Sequence, residues 1–417
     1  MKLCIFEDTK YRKLLPLVWL RPVYYLRCGI TDIAEKIRAV FPNLETVLHC
    51  REYLTDSIKE TTPLPVNTFE ADSYLLINGR IIPDKSLAET IPLRRINCIY
   101  RSSGTDAAAV VSPEYSHILT QYSGKPFDLH TLFPDFPVIP VDITIINHPW
   151  DIVNKNGDAL ISDWKRLFPQ PAPSIRGKIY EGVHLLNKNN IYIAQDAVIK
   201  PGAVLDAESG PIIVESGALV MPNAVITGPA FIGKHAVINI GAQIHGTTIG
   251  EKSKIGGEVA VSIIHSHSNK QHDGFLGNSY LGQWVNLGAD TVNSNLKNNY
   301  QPITAVIDGE TIKTGLLFAG SIIGDHTKTG INTMLNTGTV AGICCNIFGS
   351  GFPPKYIPSF SWGGSDGFEE YKLEKALQTA QAVVSRRNME LSVVFQRLIT
   401  HIYEITASER AAYGRKQ

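Results

Sequence analysis

Three histidines, a lysine and an aspartate crowd into one run, His265-Ser266-His267-Ser268-Asn269-Lys270-Gln271-His272-Asp273-Gly274-Phe275-Leu276-Gly277. Histidine exchanges a proton near neutral pH, so an imidazole held on a stiff coil beside a cleft is a candidate general base. Asp273 would orient such a ring only where the chain bends back. A zinc site on His265, His267 and His272 is another reading, although no cysteine or carboxylate completes it at a usual spacing. A further one makes each a loop histidine with local hydrogen bonds. Downstream, Trp284–Lys297 carries Asn286, Asn293 and Asn295. Their amides donate and accept, which suits a sugar hydroxyl, a phosphate or a pantetheine amide, and equally an asparagine ladder inside a repeat.

What must position these residues is a repeat. Val214, Val220, Ile226, Ile232, Ile238 and Ile244 stand six apart, each followed four residues later by a small side chain, Ala218 to Thr248. A period of six fits neither an α-helix nor a free strand; it fits a triangular β-helix coil with one hexapeptide on each face. The register begins at Ile193/Ala197 and Ile199/Ala203 and resumes at Leu287/Thr291, Ile323/Thr327 and Leu335/Thr339, which predicts a β-helix over 190–350. Between Ile255 and Leu287 the register fails, and the histidines lie there. Residues 1–168 alternate strand and helix, with strands expected at 2–6, 45–49 and 73–78 and helices at 30–41 and 150–168, so they form an α/β domain. Pro169-Gln170-Pro171-Ala172-Pro173 opens a linker, 169–189. In 351–417 a turn-rich connector precedes a terminal α-helix whose stripe of Leu373, Leu377, Ala380, Val384, Leu391, Val394, Leu398 and Ile402 needs a surface to pack on.

With 417 residues the chain has room for two or three domains, and its 39 basic residues equal its 39 acidic ones. That balance argues against nucleic acid or an anionic membrane surface as partner. The charged N-terminus lacks a signal peptide's apolar run and no stretch approaches a membrane span, so a cytoplasmic location is expected. Six scattered cysteines without CxxC spacing read as reduced, buried thiols.

Taken together, residues 269–277, 285–291, 295–297 and 322–333 resemble, in order, the acetyltransferase half of the bifunctional N-acetylglucosamine-1-phosphate uridylyltransferase/glucosamine-1-phosphate acetyltransferases. They are especially similar to archaeal-type sugar-1-phosphate nucleotidylyltransferase/acetyltransferases, which also have the longer excursion from Lys297 to Gly320. The whole chain looks like a divergent bacterial branch with a degenerate N-terminal domain. The resemblance implies a nucleotidyltransferase-like (GT-A/Rossmann-like) α/β domain followed by a left-handed parallel β-helix, assembled as a closed homotrimer. It implies acetyl transfer from acetyl-CoA to glucosamine 1-phosphate, with His272 as base and Asn286 and Asn295 near acetyl-CoA and the acceptor. Phe275 stands where the family has a tyrosine. Uridylyl transfer from UTP, or another NTP, with Mg2+ would follow. Asn239 and Ala260 occupy the places of the family's phosphate-binding arginine and lysine, for which Lys270 or Lys254 would have to substitute. In the N-terminal half, Arg12, Lys13 and Arg21 stand in for the glycine-rich phosphate loop. Asn78-Gly79-Arg80 replaces the Gly-Asp pair whose aspartate binds magnesium, so the resemblance assigns no metal ligand here. Two rivals remain open: a nucleotidyltransferase for another sugar 1-phosphate with a purely structural β-helix, and a non-catalytic sugar-nucleotide-binding or scaffold protein.

Overall fold

The computed structural model describes residues 1–168 and 174–414, so the proline cluster 169–173 lies outside the described residues. Strands β1 (Lys2–Phe6), β2 (Glu45–Leu48) and β3 (Tyr74–Asn78) form where the sequence runs apolar. Helix α1 (Ile33–Val40) starts after Asp32, whose carboxylate accepts from the Glu35 N–H at 2.8 Å. β4 (Cys98–Ser102), β5 (Thr105–Val111) and β6 (Val138–Pro140) complete a sheet of order β2-β1-β3-β5-β4-β6. β1 lies parallel between β2 and β3, and every residue of β3 is buried, as a strand covered on both faces requires. Helix Pro149–Leu167 serves both halves of the molecule. Its Ile152 and Val153 enter the sheet's core, while Leu160 and Trp164 meet Ile213 and Phe231 of the repeat.

The repeat is a left-handed β-helix-type solenoid of about ten turns. One face stacks nine strands, from Ile191–Ile193 to Tyr356–Ile357; the other two stack six each, up to Asn269–Lys270 and Phe275–Gly277. The ladder residues are fully buried and in register, Val220 on Ile238 and Ile226 on Ile244. Coils extend past both expected limits: strands Lys178–Ile179 and His184–Leu186 lie in the supposed linker, and Ser361–Gly364 pairs beyond 350. The expected break between Ile255 and Leu287 is a change of period. Ile249 pairs with Ile264, Ile244 with Val259 and Ile255 with Lys270, in coils shorter than three full hexapeptides that shift the register without opening the stack.

Instead of one terminal helix there are three, Leu373–Ser385, Val393–Ile405 and Ala407–Gly414. Asn388, at φ 55°, interrupts the run, and Ser392 caps the second helix by accepting from the Phe395 N–H. The stripe finds two surfaces. Ala380, Val384 and Leu391 cover Trp284 of the solenoid, and Leu398 and Ile402 join the N-terminal domain's core.

Candidate functional site

His272 is exposed at the corner between strands Asn269–Lys270 and Phe275–Gly277. The residue that shapes this corner is Lys270. It occupies an inward ladder position, stacked on Ile255 and only 1% exposed, and its ammonium turns back to the corner. Nζ donates to the carbonyl oxygens of His272 (2.6 Å), Asp273 (3.0 Å) and Gly256 (3.1 Å). Burial lowers the Lys270 pKa to about 8, against the pull of Asp273 and Asp290. Gly256 allows the close stacking: a Cβ there would lie 2.2 Å from the Gln271 carbonyl oxygen. Asn239 closes the same corner from below, its amide donating to Gln271 O at 2.7 Å. Neither Lys270 nor Asn239 is therefore free for a phosphate, which removes Lys270 as the substitute cation. The Asp273 carboxylate makes no hydrogen bond to the His272 ring.

The other two histidines face packed surroundings. His265 Nε2 lies 3.1 Å from the Tyr25 carbonyl oxygen, and burial beside Arg21 and Arg27 holds its pKa well below the usual imidazole range. His267 stacks on Trp284 at 4.4 Å, and burial brings its pKa to about 4. With the three rings facing different surroundings, the zinc reading has no geometry; no group of three or more His, Cys, Asp or Glu among the described residues could hold a metal.

Phe275 and Asn295 do converge. A Cβ built on Gly277 would meet the Phe275 ring at 2.4 Å and the Asn295 amide nitrogen at 2.8 Å. That amide donates to Asn278 Oδ1 at 2.8 Å. Asn295 and Asn278 line a cleft of about 530 Å3 with Ala260, Leu316, Phe318 and Asn154, a wall without a cation. Asn286 sits on another face, beside Asn269. Asn269 Nδ2 donates to Asn286 Oδ1 at 3.3 Å and Arg387 donates to Asn269 Oδ1 at 3.1 Å, so the ladder alternative describes Asn286.

At the carboxyl ends of β1 and β3 the polar groups are buried and paired. Asn78 donates to Asp8 Oδ2 at 2.9 Å and to Asp106 O at 3.0 Å, and accepts from Arg80 N–H. Gly79 packs under Tyr24, where a Cβ would lie 2.9 Å from the ring. Arg80, 0% exposed, pairs with Asp8 and donates to Ile146 O and Asn147 Oδ1. Glu7 is held by Arg51 and the Val23 N–H. Arg21, assigned to phosphate by sequence, instead binds Asp325 of the solenoid at 2.8 Å and Gln283 at 3.0 Å, buried between the domains. Arg12 pairs with Asp308, and Lys13 is exposed. These residues do not fit a magnesium ion. The one aspartate beside Asn78 is saturated by a guanidinium and an amide, and the group placed where the resemblance expects a metal-binding carboxylate is itself a cation.

Residues 3–169 match the family model described as sugar nucleotidyl transferase. That match spans the N-terminal domain. Among curated proteins, the bifunctional protein GlmU of Methanococcus vannielii is 30% identical over 198 residues, covering 47% of this chain and 41% of its own length. The bifunctional sugar-1-phosphate nucleotidylyltransferase/acetyltransferase of Sulfurisphaera tokodaii is 33% identical over 205 residues, 49% of this chain and 44% of that protein. Matches of this kind span less than half of those relatives' length. An Arabidopsis UDP-N-acetylglucosamine acyltransferase structure aligns over 56% of this chain and 93% of its own at 12% identity, with a TM-score of 0.32. In the matched domain the polar residues at the ends of β1 and β3 are occupied by packing. No helix among the described residues is long and apolar enough to cross a membrane.

Sequence reasoning missed Arg80, Asp325, Asp308 and the clamp made by Lys270. Only Lys270 carried a local signal, a lysine in a column of aliphatics once the shortened coil is allowed for.

Proposed function

We infer that the chain is a sugar-phosphate transferase whose working centre is the solenoid corner at His272. The reaction is acetyl transfer from acetyl-CoA to the amino group of glucosamine 1-phosphate. His272 takes the amine proton as nitrogen attacks the thioester carbonyl; the C–N bond forms, the C–S bond breaks, and the thiol leaves with a proton. The observation that supports this reading is the contrast among the three histidines: His265 is bonded to Tyr25 of the N-terminal domain, His267 stacks on Trp284 within the solenoid, and the third is presented to solvent on a corner fixed by three hydrogen bonds from Lys270. Phe275 opens the strand that follows this corner, and it converges with Asn295 over Gly277 at that strand's far end. Exposed Ile240 (66%), Ile331 (72%) and Phe348 (40%) follow strands of the face that carries Lys270, along the edge of His272, which supports assembly as a closed homotrimer with the site at the subunit boundary. Light scattering would then give three times the monomer mass.

A second reading concerns the N-terminal domain, and the buried Asp8–Arg80 pair favours it: this half binds a sugar nucleotide without transferring the nucleotidyl group. Acetyl-CoA with glucosamine 1-phosphate, and separately UTP with N-acetylglucosamine 1-phosphate and Mg2+, test both. Release of free thiol without pyrophosphate is the expected outcome for an acetyltransferase with a binding-only partner domain. Pyrophosphate release would restore uridylyl transfer, and no thiol release would overturn the acetyltransferase reading.

A further inference from the structure

The short helical turn that follows β1, Thr9–Leu14, packs on the solenoid's excursion and is joined to it by an ion pair. Arg12 Nε lies 2.5 Å from Asp308 Oδ2 and Nη2 lies 2.6 Å from Asp308 Oδ1, a two-point fork. Asp308 (φ 52°) and Gly309 (φ 79°) form the turn of a hairpin, Thr304–Ile307 with Glu310–Lys313, carried by the excursion between Lys297 and Gly320. The hairpin is no loose loop. Ala305 and Ile307, each 2% exposed, are packed into the core cluster of the N-terminal domain, so Asp308 is delivered to Arg12 by a fixed element. Glu409 of the last helix feels the same carboxylate: burial and the charge of Asp308 raise its pKa to about 7. Arg12 itself keeps about half of its side chain exposed, 52%, beside the exposed Lys13.

A guanidinium fork matches a carboxylate and a phosphate equally well. We propose that Asp308 sets the phosphate affinity of the loop after β1, because it holds Arg12 in the geometry a phosphate would use and must be displaced before an anion can take its place. This rests on the reading of that loop as phosphate-facing, and it makes a hairpin of the solenoid domain a specificity element of the N-terminal one. A neutral or singly charged ligand gains too little from Arg12 to compete; a polyphosphate gains more.

Asp308→Asn is the variant to use, since asparagine tolerates the positive φ of a turn before glycine while removing the charge and one of the two acceptors of the fork. Binding of inorganic triphosphate to the full chain is measured by calorimetry at low salt. Asp308→Asn should bind roughly threefold more tightly than wild type, the scale of a half-exposed ion pair. The gain should vanish when Arg12→Met is added. If Lys13→Met weakens triphosphate binding while Asp308→Asn leaves it unchanged, the loop faces phosphate and the proposal for Asp308 is wrong. Should no version of the chain bind triphosphate, the loop reading and the proposal fall together.

Discussion

The loop region beyond β1 and β3 and the solenoid corner at 270–274 are both organised by a buried cation, and the two cations leave their surroundings in opposite states. Arg80 absorbs a carboxylate, Asp8, and closes the place where a metal ligand would stand. Lys270 touches no carboxylate; it gathers three backbone carbonyl groups and leaves the His272 ring free. A charge paired with a charge ends a site, whereas a charge paired with backbone fixes the shape of one. The same contrast separates Arg21, consumed by Asp325 at the domain boundary, from Lys13, which stays exposed.

Substitutions can break this comparison. Arg80→Met strands Asp8 in a buried position and should cost about 3–5 kcal/mol of stability in denaturant unfolding, whereas Arg12→Met, at a half-exposed pair, should cost less than about 1 kcal/mol. Equal costs would show that burial does not distinguish the two. Lys270→Met keeps the ladder apolar but releases the corner; kcat for acetyl transfer should fall up to about 100-fold with little change in KM for acetyl-CoA. A variant with wild-type kcat would mean the ammonium does not position His272.

The smallest effect is a pH dependence of stability from three packed histidines. In the folded chain His265 and His326, the latter buried near Trp284 and Phe395, titrate well below 6.5 and His267 near 4, all through burial first. The unfolded chain therefore binds protons first as pH falls. Their neutral forms cost nothing above 6.5, and stability is lost progressively as pH drops from there towards 4. His267→Gln should flatten that slope; an unchanged slope would place the protons elsewhere.

The ladder was legible because its signal is periodic and local: Val214 to Ile244 read as inward residues and are. Lys270 was half legible, since only the shortened coil reveals that it continues the column of Ile238 and Ile255. The fates of Arg12 and Arg21 were not legible at all. Their partners, Asp308 and Asp325, lie some three hundred residues away in the chain, and no local pattern distinguishes an arginine awaiting phosphate from one awaiting an aspartate on another domain. The asparagines divided for a related reason, Asn286 stacking on Asn269 and Asn295 lining the cleft, because the corner between them turns one amide away from the other.

The most direct test is the rate of thiol release from acetyl-CoA in the presence of glucosamine 1-phosphate, compared between wild type and His272→Ala. The account predicts a loss in kcat of roughly 10²–10⁴-fold with the unfolding midpoint unchanged, since the exposed ring bears no packing load. A variant that folds normally and acetylates at the wild-type rate would contradict it.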